Sequence, residues 1–338
     1  MNNRRAEVQI KYNNVDITKS LQDDLMSFSY NDNGTGKADD VSIMLDDKDG
    51  NWSGAWMPED GAKLDIDIVL YNWLKESTAR RIKCGTFYVD GLNYDGPPDV
   101  ITFKALSYDL AGGLKNEEKS KAWEKISLSQ IAKRIATANG LKLIFEIDDI
   151  RYDRIDQTQQ SDVAFLAQLV EKEGGNLKIT SDTIVVYDDR RFESIKPVRK
   201  IERGVSDVKS YGFTHNTLDA AYAKCTVTYY DSSAKKTYTG TFSAPGNKKG
   251  PTLKLQQRVE SNAEAQRLAK NELRKRNKEA SKAQFVLFGD PDIVQGVTIE
   301  VIGYRKFDGT YFVESVTQNV AGSGGFTTTV NMRKVLNY

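Results

Sequence analysis

His215 is the only histidine in the chain, and Cys84 and Cys225 are its only cysteines. Zinc sites and histidine acid–base catalysis draw on clusters of these side chains. One imidazole cannot build a two-histidine metal motif. Two cysteines in separate segments make neither a CxxC pair nor a disulfide framework. Three short stretches carry part of a known site. Residues 34–37 read GTGK, yet Asn31 stands where a phosphate-binding loop needs its first glycine, and Ala38 where it needs a hydroxyl. Residues 46–51 read DDKDGN, with Asp47, Asp49 and Asn51 alternating as in a calcium loop. Its glycine is displaced to Gly50, and Pro58 occupies the place of the bidentate glutamate. Residues 321–325 read AGSGG, which is not the GxSxG elbow and has no histidine to serve it. The first and third read as turns, and calcium is not expected at the second.

Carboxylates and cations are more plentiful. A glycosidase needs only two carboxylates, but among 47 Asp and Glu no pair is set apart by its context. Between Lys235 and Lys282 there are 13 Lys and Arg against four Glu, with Tyr229, Tyr230, Tyr238 and Phe242 nearby. Such aromatics stack on bases in single-strand binders, yet alternation along strands points to barrel core or cross-strand pairs. No nucleic-acid motif is present, so sequence-specific binding is not expected. No catalytic residue, metal ligand or cofactor site is assigned, and the chain is not expected to be an enzyme.

The elements around these residues are mostly strands. A length of 338 residues suffices for two or three cored domains. No apolar run approaches the roughly 18–20 residues that span a bilayer, and residues 1–14 lack the apolar stretch of a secretory signal. Stretches such as VQIKYNN, LMSFSYND, VSIMLDD, KLDIDIVLYN, TFYVDGLNY and VITFKAL alternate or are rich in β-branched and aromatic residues. From about residue 116 the pattern turns helical and mixed. Ser127 and Gln130 form a capping box ahead of Ile131 and Ile135, Ser161 caps a second helix, and NLKITSDTIVVYDD reads as a hairpin around Ser181 and Asp182. Strand patterns return after residue 200, interrupted by one helix at about 262–280. That helix has a capping box at Ser261 and Glu264, a narrow apolar stripe of Ala265, Leu268, Ala269 and Leu273, and otherwise basic faces. So narrow a stripe predicts a helix lying on the outside of a domain or at a subunit contact. Arg274, Lys275 and Arg276 are its candidate protein-interface residues.

Two parts of the chain repeat one plan. GTFYVDGL at residues 85–92 matches GTYFVESV at 309–316, an offset of 224, whereas Gly61 and Gly296, ahead of KLDIDI and VTIEV, lie 235 apart. The 11-residue difference is a longer connection, YNWLKESTARRIK, in the first copy. A shared order of three elements signals duplication. The expected domains are a first β-barrel over 1–112, an α/β insert over 113–198, and a second β-barrel over 199–338. Their charges differ: 12 basic against 19 acidic residues in the first, 14 against 15 in the insert, and 22 against 13 in the last. Poles of opposite sign suit stacking against other proteins.

The blocks KISLSQIAKRIATANGLKL, IDQTQQSDVAFLAQLVEKEGGNLKI, EAQRLAKNELRKRNKEASKAQFVLFGDPDIVQGVTIEV and FDGTYFVESVTQNV, followed by GGFTTTVNM, resemble the phage late control protein D family. These are tail hub proteins of contractile phages and related bacteriocins, similar to the hub part of type VI secretion spike proteins. The resemblance implies a mainly β fold with two tube-like β-barrels flanking a small α/β domain. It further implies a homotrimeric ring that adapts the hexameric tail tube to the trimeric membrane-piercing spike at the baseplate. Implied partners are the tail tube protein, the spike protein and baseplate proteins, with the tape-measure protein a further candidate. The implied location is the virion, after assembly in the host cytoplasm. The chain reaches Tyr338 without a repetitive β-helix or an appended lysozyme domain, so the spike is expected to be a separate protein. Two alternatives stay open: a peptidoglycan-binding module, or a cell-wall hydrolase of a phage tail.

Overall fold

The computed structural model describes residues 4–73, 75, 77–107, 117–216, 221–246 and 250–338. The boundary expected at 112/113 lies outside them, as does part of the long connection after residue 73. The first segment contains β1 (Arg5–Tyr12), β2 (Val15–Asp16), helix α1 (Thr18–Gln22), β3 (Leu25–Asp32) and β4 (Asp40–Asp46). It continues with β5 (Lys63–Tyr71), β6 (Ala79–Asp95) and β7 (Val100–Leu106). The insert comprises β8 (Lys119–Ser127), α2 (Leu128–Ala138), β9 (Lys142–Glu146), β10 (Arg151–Gln160), α3 (Asp162–Lys172), β11 (Asn176–Ile179), β12 (Thr183–Tyr187) and α4 (Asp189–Glu193). The last segment begins with β13 (Arg199–Glu202), β14 (Val208–His215), β15 (Lys224–Asp231), β16 (Lys236–Ser243) and β17 (Thr252–Gln256). Helix α5 (Asn262–Asn277) precedes β18 (Ser281–Phe288), β19 (Thr298–Ile302), β20 (Gly309–Ala321) and β21 (Phe326–Lys334).

The two β segments repeat each other residue by residue. β5 faces β6 with Leu64 opposite Phe87 and Ile66 opposite Gly85. β19 faces β20 with Ile299 opposite Tyr311 and Val301 opposite Gly309. Beyond these pairs the Gly61 N–H donates to the Val89 carbonyl at 2.9 Å, and the Gly296 N–H to the Val313 carbonyl at 3.0 Å. β6 then bulges against β7 between Val89 and Gly91, as β20 does against β21 between Val313 and Ser315. The bulge between Leu25 and Ser27 on β3 recurs between Val208 and Ser210 on β14. Bulges fix register, so shared bulges mark one inherited plan. The sixth strand differs: β1 runs antiparallel to β5, whereas β13 runs parallel to β19.

Among the described residues the two halves do not form separate closed barrels. They form one open 13-stranded sheet, because β20 also pairs with β3 and so splices the second half onto the first. The inward residues of each half alternate along their strands. Val8, Phe28, Ile43, Ile66, Phe87 and Phe103 lie in one core, and Ile201, Phe285, Ile299, Tyr311, Val313 and Val330 in another. Val320 and Phe326 cross into the first core, so the splice is apolar as well as hydrogen-bonded. Gly289 makes room for this, since a Cβ there would sit 2.0 Å from the Phe326 ring. The Trp73 indole N–H donates to the Gly289 carbonyl at 2.7 Å, and its ring meets the Phe326 ring edge-on.

Two smaller units complete the molecule. In the insert, α2 and α3 pack with β9, β11 and β12 around Ile131, Phe165, Leu166 and Ile184. Both expected caps are present, at Ser127 with Gln130 and at Ser161. The hairpin at Ser181 and Asp182 is present as β11–β12. The IDQT stretch belongs to β10, which pairs with β8. A departure from expectation concerns α5. It is the core helix of a third small unit, laid on the sheet β16-β15-β17 with Ala265, Leu268, Ala269 and Leu273 buried against Cys225 and Val227. Its narrow stripe suffices because Gly240 lets the helix backbone approach: a Cβ there would lie 2.1 Å from main-chain atoms of Ala265 and Gln266. A close approach needs small residues more than a wide apolar face.

Gly85 and Gly309 occupy equivalent places and both have positive φ, +115° and +138°. Any other L-residue there is strained. Replacing either with alanine should therefore destabilise the fold by a similar amount, about 1–3 kcal/mol, read as a shift in the urea midpoint at unchanged slope. A cost at one site and none at the other would contradict the equivalence.

Candidate functional site

The polar stretches that offered chemistry serve the scaffold. The Asp47 carboxylate, in the calcium-like loop, is buried and accepts the N–H groups of Trp52 and Ser53 at 2.8 and 3.1 Å. GTGK is the β3–β4 turn, and its Thr35 and Gly36 reach the insert, bonding Asn176 and the Leu177 carbonyl. AGSGG is the β20–β21 turn, pressed on the first half. Its Gly322 N–H donates to the Met26 carbonyl at 2.9 Å, and a Cβ there would meet the Leu25 oxygen at 1.8 Å. His215 ends β14 in the open, with Nδ1 2.7 Å from the Ser281 hydroxyl. Both cysteines are buried and free. Among the described residues no group of three or more His, Cys, Asp or Glu is placed to hold a metal. Nor is any helix there long and apolar enough to cross a membrane.

The charged side chains that do converge lie where the units meet. Lys178, on β11 of the insert, bonds the Asp32 carboxylate at 2.6 Å and Asp39 at 3.1 Å, both at the end of the β3–β4 hairpin. Asp32 also accepts the Gln295 N–H at 2.7 Å. Three segments are thereby tied at one carboxylate. Burial pushes the Asp39 carboxyl up to about 6, outweighing the Lys178 ammonium, with Asp32 adding to the rise.

A second cluster joins α4, α5 and β21. Arg274 Nη2 lies 2.5 Å from Glu193 and 3.3 Å from Asp189. Arg333 Nη2 lies 2.5 Å from Glu193 and 2.7 Å from Asp189, and Lys278 Nζ is 2.5 Å from Asp189. Both arginine side chains are at most 5% exposed. Burial alone would raise the Asp189 carboxyl, but Lys278, Arg333 and Arg274 together hold it well below the usual carboxylate range. Arg274 also donates to main-chain oxygens of Leu336 and Tyr338. It thus points inward, unlike Lys275 and Arg276, the two residues that follow it. Lys275 and Arg276 are exposed, Lys275 pairing with Glu171 at 2.7 Å. Arg274 lies outside the apolar stripe of Ala265, Leu268, Ala269 and Leu273, and only the partners Asp189 and Glu193, some 80 residues earlier, reveal that it is internal.

Comparison with known proteins gives this geometry a context. The model of the phage tail baseplate hub family matches residues 111–323. A probable baseplate hub protein of Escherichia phage P2 is 36% identical over 166 residues, 48% of this chain. The match covers 40% of that relative, well under half of its length. Among solved structures, a 43 kDa tail protein of prophage MuSo2 from Shewanella oneidensis aligns with TM-score 0.74 at 15% identity, covering 97% of this chain and 98% of its own. A tail protein from Neisseria meningitidis aligns with TM-score 0.72 at 13% identity, covering 98% and 97%. Both likenesses extend the shared fold over the first half, which the family match leaves out.

The two clusters generate separate expectations. Arg274→Glu should cost about 3–5 kcal/mol of folding stability, because two buried carboxylates lose a partner. Lys275→Glu with Arg276→Glu should cost under about 1 kcal/mol, as exposed charges do. Thermal unfolding of the variants distinguishes them, and equal losses would contradict the assignment. For Asp39, the folded carboxyl holds its proton more tightly than an unfolded aspartate, which titrates near ~3.9. Its contribution is least favourable above about 6 and improves as pH falls toward that unfolded value. Asp39→Asn should flatten this rise in a pH series of denaturation midpoints. Asp189 has the opposite sign: its contribution is full above the ordinary aspartate value and is lost as pH falls below it.

Proposed function

The chain belongs to the phage tail baseplate hub family, and from that premise we propose that it works as a structural ring without enzymatic activity. The observation that carries this reading is the duplicated register of β5-β6-β7 and β19-β20-β21. A chain with two like halves presents twice as many similar units as it has copies. Three copies then offer six, which matches a hexameric tail tube on one side and a trimeric spike on the other. The walls of the tube-like barrels would close between copies, since within one chain the sheet stays open. The insert and the α5 unit, present once per chain, reduce the symmetry to threefold and suit the spike side. Tail tube, spike and other baseplate proteins are the proposed partners, the tape-measure protein a further one, and the virion tail the proposed location.

Lys275 and Arg276 are offered as a contact for an acidic baseplate partner, because they are exposed and lie in the basic last segment. Arg274 is not part of that contact, being held inside by Asp189 and Glu193.

Coexpression with the cognate spike and tube proteins, followed by native mass spectrometry, tests the reading. Three copies of the chain per spike trimer are expected. A 1:1 monomeric complex, or no complex with either partner, would overturn it. In the same assay Lys275→Glu with Arg276→Glu should weaken capture of a baseplate partner about tenfold or more, a loss of roughly 1.4 kcal/mol, while the chain stays folded.

A further inference from the structure

Among the strand edges that lack a strand partner in the described residues, two are counterparts of edges that are joined. In the splice, the overhanging end of β20 pairs with β3: Val316 faces Asp32, Thr317 faces Asn31, Gln318 faces Tyr30 and Asn319 faces Ser29. By the shared register β6 is the counterpart of β20, and β14 the counterpart of β3. Residues 92–95 of β6 pair with β7 on one side. On the other side β5 stops at Tyr88, so this overhang is open. β14 pairs only with β18 and ends the sheet. Open edges of this kind present rows of backbone donors and acceptors to another chain.

We propose that residues 92–95 of one copy pair antiparallel with residues 212–215 of a second copy, repeating between chains the splice found within one. The inference deepens the ring reading above and rests on it. Transposing the internal register sets Leu92 opposite His215, Asn93 opposite Thr214, Tyr94 opposite Phe213 and Asp95 opposite Gly212. A side-chain pair across the internal splice agrees with this register. In the splice, the Thr317 hydroxyl donates to the Asn31 side-chain oxygen at 2.7 Å. At the transposed position stand the same two residue types with their strands exchanged, Asn93 on β6 and Thr214 on β14. Tyr94, 51% exposed in the single chain, gains an aromatic partner in Phe213. The contact also brings the acidic first segment of one copy, 19 acidic to 12 basic residues, against the basic last segment of the next, 22 basic to 13 acidic. It is head-to-tail, so it propagates and must close into a ring or run on as a filament.

Cysteine pairs read this register directly. The full chain carrying Asn93→Cys and Thr214→Cys, mildly oxidised, should give covalent dimers and trimers on a non-reducing gel that reductant collapses. Either single variant should stay monomeric, because the native cysteines are buried. Tyr94→Cys with Thr214→Cys, shifted by one residue and so on opposite faces, should cross-link at least about tenfold less. Native mass spectrometry of the same samples, alone and with spike protein, separates the two levels of the claim. A ring that assembles without cross-linking through Asn93 and Thr214 overturns this seam and leaves the hub reading standing. A chain that never assembles, even with the spike, overturns both.

Discussion

β20 has thirteen residues and runs beside β21 from Tyr311 to Val320, but β19 covers only its first four residues on the other side. The remaining backbone groups must find donors and acceptors, because buried, unpaired peptide groups are costly. β3 supplies them over six residue pairs. From that single requirement the rest follows: the halves become one sheet, Val320 and Phe326 enter the first core, and Gly289 is confined to having no side chain. The same overhang on β6 has no such supplier among the described residues. A duplicated unit thus carries one seam satisfied internally and one open to a neighbour, which is what a repeating ring requires of its subunit.

Charge holds the once-per-chain units onto this repeated frame. Lys178 ties the insert to the β3–β4 hairpin, and Arg267 ties α5 to Glu173 of the insert at 2.7 Å. Arg274 and Arg333 share Asp189 and Glu193 between the α5 unit and β21. Buried pairs of this sort add little net stability over an apolar contact, yet they are costly to half-break. They suit joints whose geometry must be definite.

Much of this was legible in the residues. Alternation found the six principal strands of the first segment, and serine caps found α2, α3 and α5 at their first turns. The GTFYVDGL and GTYFVESV match exposed the duplication, because register depends on the buried face and glycine positions that those letters encode. β8 and β10 escaped notice, being a polar ribbon without an alternating pattern. It is held by the buried Gln157 side chain, which bonds Asp162 and the Gln160 carbonyl. The GDP and IDQT blocks serve the scaffold: Asp290 pairs with Arg199 and accepts the Asp292 N–H, and Gln157 locks β10 to α3. The depth of Arg274 was invisible, since its carboxylate partners come from another segment. Nor does periodicity foretell that β20 pairs on both sides, because pairing partners are a property of length and topology.

A reconstruction of the assembled particle at the junction of tube and spike tests the central claim most directly. Three copies are expected, with six like sheet halves around an open channel and β6 of each chain hydrogen-bonded to β14 of the next. Six copies, a compact cap without a channel, or halves whose edges face solvent in the assembled ring would contradict the account.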